Sequence, residues 1–202
     1  MKIMNVVLKL VSAITLIVIS TITQAQESKI PTSTDFNLGE QWEWARINNQ
    51  TKKPEYNFFR KVVSKDGEKL FFERKKYNQL TRTFLGGSPK NPSRVWPLKV
   101  GNKWDYKNQF VSVVGVSVET SQSVEVLSFE EVTVAAGKFM AYKIAYIGSY
   151  INRKEDNSME EGVYNETYWY APSVKADVKY ISEDGKDYLY RRELIQYSKN
   201  KS

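Results

Sequence analysis

The sequence predicts an all-β fold of antiparallel strands, and three observations predict it. Residues 174–180 alternate strictly, with Val174, Ala176, Val178 and Tyr180 separated by Lys175, Asp177 and Lys179. Period-two alternation sets one face of a strand on a core and the other in water. Turn chemistry recurs between such runs, at Asp66-Gly67, Ala136-Gly137 and Asp184-Gly185. Aspartate and glycine tolerate the positive φ that tight hairpins need. No long stretch beyond Ala25 carries helical periodicity with caps.

The elements follow in chain order. Lys2 and Lys9 flank a short start, Leu10 to Ile19 is apolar apart from Ser12 and Thr15, and Thr23-Gln24-Ala25 ends the segment. This is the layout of a secretory signal peptide, residues 1–25, and it is too short and wrongly flanked for a membrane span. Residues 26–37 are polar and read as an extended N-terminal arm. Strands are expected at residues 41–47, then at 56–64 and 69–77 around Asp66-Gly67, and at 80–85. Residues 86–97 hold three prolines and two glycines and form a loop. Further strands are expected at 103–113, 116–129, 130–135, 138–147, 163–170, 174–180 and 187–197. Residues 38–198 thus make a single β domain, and 199–202 a frayed tail. About ten strands suffice for one large curved sheet or a barrel-like sandwich.

Composition narrows the chemistry. Cleavage near Ala25 leaves 177 residues, the size of one domain. The chain has no cysteine, hence no disulfide and no cysteine to lipidate after the signal. An exported protein without disulfides suits a bacterial periplasm. Histidine is also absent, which excludes Ser-His-Asp and Cys-His catalysis and ordinary zinc sites. Glu130-Glu131 and Glu160-Glu161 are neighbours on strands, so each pair splits between two faces. Around Asp156 the calcium-loop spacing is missing. No phosphate loop or nucleophile elbow is present. The expectation is a non-enzymatic protein with no cofactor and no metal.

Charge and aromatics remain. The net charge is +7, or +5 without Lys2 and Lys9, and residues 51–82 alone carry +6. Arg60, Lys61, Arg74, Lys75 and Lys76 fall on both faces of this basic hairpin. Such a hairpin guards a sheet edge against strand addition. Alternatively it meets an acidic envelope surface or anionic lipid. No motif points to nucleic acid. All 27 aromatic residues lie beyond Ala25. Trp42 and Trp44 share one strand face, as do Trp104 and Tyr106, while Trp169 points away from Tyr168 and Tyr170. These seven residues are either ordinary sheet core or the lining of an apolar groove with polar tips.

Two segments echo each other: Gly39-Glu40-Gln41-Trp42-Glu43-Trp44 and Gly101-Asn102-Lys103-Trp104-Asp105-Tyr106. The second belongs to Pro97-Leu98-Lys99-Val100-Gly101-Asn102-Lys103-Trp104-Asp105-Tyr106. With Val132-Thr133-Val134-Ala135-Ala136-Gly137-Lys138-Phe139, where Ala135 replaces a usual proline, and Thr167-Tyr168-Trp169-Tyr170-Ala171-Pro172-Ser173-Val174, it resembles exported bacterial β-proteins related to the lipoprotein-carrier (LolA-like) superfamily. The resemblance spans about residues 38–197. It implies a strongly curved antiparallel sheet, an incomplete barrel whose concave face holds acyl chains under helices. This sequence has no clear lid helices, and the motifs transfer no catalytic residue. The expected function is binding of a hydrophobic or amphipathic, lipid-like molecule on the concave face, lined by the seven aromatics. The alternative is an interaction module that docks an envelope protein or membrane through its sheet edge or basic hairpin.

Overall fold

The computed structural model describes residues 27–67, 69–74, 81–82, 91–112, 115–183 and 188–199. The predicted signal peptide, Lys75, Lys76 and the Asp184-Gly185 turn lie outside them. Ten strands form: β1 (Gln41–Ile47), β2 (Pro54–Asp66), β3 (Lys69–Arg74), β4 (Thr81–Arg82), β5 (Lys103–Val111), β6 (Ser117–Val134), β7 (Gly137–Arg153), β8 (Met159–Ala171), β9 (Ala176–Glu183) and β10 (Tyr188–Ser198). Among the described residues the only helical turns are two three-residue 3-10 turns, Ser33–Asp35 and Pro172–Val174. The all-β expectation holds.

All ten strands belong to one antiparallel sheet in the order β4-β3-β2-β1-β10-β9-β8-β7-β6-β5. From β5 to β10 the chain is a simple meander. β1 pairs with β10, and β2 to β4 extend the sheet outward from it. β4 and β5 are the two edges, so the sheet is not closed into a barrel.

The sheet is nonetheless strongly bent. Phe58 and Arg60 of β2 and Tyr106 of β5 line one cavity. In a flat sheet the seven steps between β2 and β5 would separate them by roughly 34 Å. The tip of the β6–β7 hairpin also reaches back across the sheet, where the Ala136 N–H donates to the Leu194 carbonyl of β10 at 3.1 Å.

β-Bulges let single strands serve two cores. In β6 the register slips between Val126 and Ser128, leaving Leu127 unpaired. One extra residue reverses the alternation. Val124 and Val126 therefore join one cluster with Leu98, Tyr142, Ile144, Tyr146 and Tyr170. Val132 and Val134 join another with Trp42, Val62, Phe72, Trp169 and Leu194. The sequence suggested two strands, at 116–129 and 130–135; they are one strand carried through the bulge. A second departure is at 174–180. Pro172–Val174 is a 3-10 turn, and Lys175 takes the left-handed conformation at φ 52°, so β9 starts at Ala176. Val174 is buried because it plugs the first core, where its carbonyl accepts from Trp42 Nε1 at 2.7 Å.

Ahead of β5, residues 91–102 form a strap that is irregular, as the prolines predict. Leu98 is fully buried, and it exchanges two backbone hydrogen bonds with Ser28 of the N-terminal arm, at 2.8 and 3.0 Å. Tyr146 donates its hydroxyl to the Ser93 carbonyl. The strap is thereby fixed over the same face as the second core cluster.

Candidate binding site

A cavity of about 450 Å³ lies between the strap and the bent sheet. Its walls come from seven strands. Trp44 of β1 stacks on its cross-strand neighbour Phe58, with centroids 5.4 Å apart and planes 15° apart. Trp44 Nε1 is held by the Asp177 carbonyl at 2.8 Å. Tyr168 and Tyr170 of β8 and Tyr180 of β9 continue the wall, with Tyr146 of β7 and Tyr106 of β5 beyond them. Trp96 of the strap meets Tyr170 edge to face at 5.3 Å.

One carboxylate sits among these rings. Tyr164, Glu166 and Tyr168 alternate along β8 and share a face. Glu166 Oε1 accepts from the hydroxyls of Tyr180 at 2.6 Å, Tyr168 at 2.9 Å and Tyr164 at 3.3 Å. Gln122 Nε2 donates to its Oε2 at 3.2 Å. Burial pushes the Tyr168 phenol well above its ordinary range, and the Glu166 charge adds to it. Burial raises Tyr180 as well, helped by Tyr168 and Glu166. Burial also lifts Tyr146, to about 12. The phenols are thus neutral donors throughout the physiological range.

The strap is pinned by charge. Arg94 pairs with Asp177 at 2.6 Å, their side chains 16% and 28% exposed. Its guanidinium lies over Tyr170 at 5.0 Å and Tyr168 at 5.6 Å. Burial opposes the arginine charge, but the Asp177 carboxylate outweighs it and the Arg94 pKa is raised.

Four of the seven predicted aromatics, Trp44, Tyr106, Tyr168 and Tyr170, line this cavity, and three do not. Trp42 is wholly buried in the first core. Trp104 packs edge-on against Tyr146 at 6.3 Å. Trp169 takes the opposite face, as the alternation predicts, and donates to Glu130 Oε1 at 2.9 Å. Of the basic residues, Arg60 does not face an outer surface. Its guanidinium lies over Trp42 at 4.7 Å and Phe72 at 4.8 Å and lines the cavity. Lys61 is on the other face, with Glu73 and Gln41 as its ladder neighbours. The Arg74 backbone pairs with Arg60.

Sequence reasoning missed Arg94, Tyr146, Glu166, Asp177 and Arg192. Asp177 has a specific cause. Alternation assigns it to the water face, but the bulge at Val178 makes it the ladder partner of Tyr170 and turns it inward. A second hollow, of about 440 Å³, is an open groove near the β5 edge with Gln109, Glu119, Ser121 and Ser149 in its lining. Among the described residues no cluster of acidic side chains could hold a metal. None of their helices is long and apolar enough to cross a membrane.

No family model and no curated protein matches the sequence. Solved structures do match the fold. A candidate lipoprotein of Parabacteroides distasonis aligns over 86% of this chain and all of its own, with a TM-score of 0.56 and 12% identity. A candidate exported protein with a YmcC-like fold from Bacteroides fragilis aligns over 86% of this chain and all of its own, with a TM-score of 0.47 and 14% identity. At 12% identity the first likeness establishes a shared fold.

Proposed function

We propose that this chain is an exported, non-enzymatic protein that takes an amphipathic small molecule into the cavity between strap and sheet. The observation that carries the reading is the cavity itself. Its volume of about 450 Å³ falls within the roughly 300–1,000 Å³ common for small-molecule sites. Aromatic walls of Trp44, Phe58, Tyr168 and Tyr170 offer apolar area to a tail or ring. Glu166, Arg60, Arg94 and Arg192 supply polar groups that orient the rest. Burial of apolar surface would supply affinity, and the polar groups selectivity. The N-terminal pattern of residues 1–25 supports a place outside the cytoplasm, as does the lipoprotein description of the matched Parabacteroides distasonis protein.

The test is native mass spectrometry of the purified mature protein, followed by solvent extraction. A co-purifying amphiphile, displaced by fluorescent acyl probes that quench Trp44, is the expected result. A protein that emerges empty and binds no such probe refutes the proposal.

A further inference from the structure

We infer that the ligand of this cavity carries an anionic head, a carboxylate or a phosphate, received by Arg192. The inference rests on the amphipathic reading above and specifies the charge of its polar end.

The residues that line the cavity include five basic ones, Arg60, Arg94, Lys175, Lys179 and Arg192, and two acidic ones, Glu166 and Asp177. Lys179 is the ladder partner of Trp169 and turns its ammonium over that ring, at 5.2 Å, on the opposite face. Asp177 is committed to Arg94. Lys175 is committed to Glu40, at 2.7 Å. Glu166 is occupied by phenols and an amide, none of them a cation. Among the described residues Arg192 makes no ion pair. Its guanidinium rests over the Tyr180 ring at 4.1 Å, and its Nε is buried without a hydrogen-bond partner.

The ladder sharpens the imbalance. Arg192 of β10 is the direct neighbour of Arg46 of β1. Like charges placed opposite each other across a ladder repel. Arg46 has its own carboxylate, Glu55 at 2.7 Å, and stacks on Tyr190 at 3.7 Å. One carboxylate therefore serves two adjoining guanidinium groups, and the unserved one lines the cavity. Two further buried groups on that lining, Trp96 Nε1 and the Tyr170 hydroxyl, also have no partner. An indole N–H and an arginine N–H only donate, and a phenol donates readily. Their common complement is an acceptor-rich anion. Hydrogen bonds between ionised partners are also about twice as strong as neutral ones, so a charged head exploits this lining most fully.

Calorimetric titration of the mature protein with decanoate, decyl phosphate, decanol, decyltrimethylammonium and inorganic phosphate tests this. Both anionic amphiphiles should bind roughly tenfold or more tighter than decanol, and the cation more weakly than either. Arg192→Gln should bring the anions down to the decanol level while decanol itself is unchanged, and Arg192→Lys should retain most of the preference. If Arg192→Gln does not fold, the native protein still decides, because added salt must weaken the anions and spare decanol. Equal affinity for decanoate and decanol, or a salt-independent decanoate affinity, overturns the anionic head and leaves the amphipathic reading standing. Inorganic phosphate binding as tightly as decyl phosphate leaves an anion seat but overturns the amphipathic reading. Binding of none of the amphiphiles overturns both.

Discussion

Replacing Asp177 by asparagine removes the counter-charge of Arg94 and leaves the strap's guanidinium under a bent sheet with no carboxylate beside it. Breaking a fully buried ion pair from one side costs about 3–5 kcal/mol, whereas an exposed pair contributes about 0–1 kcal/mol. At 16% and 28% exposure this pair lies nearer the buried limit. Two cation–π contacts to Tyr168 and Tyr170 soften the loss without replacing the charge. The expected destabilisation is roughly 2–3 kcal/mol. With a urea m-value near 2 kcal/mol/M, the midpoint of unfolding should fall by about 1–1.5 M. A cycle of Asp177→Asn, Arg94→Gln and the double variant isolates the pair, because Arg94→Gln removes the charge that Asp177→Asn strands. The double variant should be no less stable than Asp177→Asn alone. A coupling energy below about 0.5 kcal/mol would show that water already screens the pair and that the strap is not held by it.

Alkali should loosen the fold. The Tyr146 pKa is raised to about 12, so its neutral form is favoured in the folded state. The stabilisation is complete below the unfolded pKa of about 10 and lost as pH rises through about 12, worth on the order of 3 kcal/mol. Urea melts from neutral pH upward should show a steep loss that Tyr146→Phe makes shallower, and folded-state tyrosinate absorbance rising as in free tyrosine would contradict it. Gly148→Ala should cost about 3 kcal/mol or more, since its Cβ would stand 1.9 Å from the Ser121 carbonyl oxygen and 2.7 Å from Gln122 Cα. Unchanged urea stability would show that β6 and β7 separate freely there. Glu40→Gln should cost about 2–4 kcal/mol, because a fully buried carboxylate then leaves Lys175 unneutralised and weakens the 2.6 Å bond from Tyr197. Lys175→Met should recover part of that loss in the same assay.

Strand positions were legible because the chain alternates and its turns carry aspartate and glycine. β1 occupies the predicted residues 41–47, and the Ala136-Gly137 turn joins β6 to β7. What the alternation does not encode is a bulge. Leu127 and Val178 are ordinary β formers, and nothing in their side chains announces a register slip. Yet these slips decide that Val132 leaves the Val124 face and that Asp177 turns from water to cavity. The aromatic half of the site was visible as residue types, and Tyr168, Trp169 and Tyr170 divide between faces as spacing requires. Its separation into lining and core was not visible, because Trp42 and Trp44 share a face and differ only in what the curved sheet brings over them. The charged half was hidden for another reason. Arg94 sits in a proline-rich stretch whose only local signal is irregularity, and its partner Asp177 lies 83 residues away.

The pairing of β1 with β10 has a kinetic consequence. Gln41 meets Ser198 in the ladder, so the middle of the sheet joins nearly the first and nearly the last described residues. A chain made from its N-terminus cannot zip this seam until the final strand emerges. Until then β1 carries Trp42 and Trp44 with one ladder edge open. Folding should therefore be slow and non-local, and the nascent chain a natural client for holding chaperones.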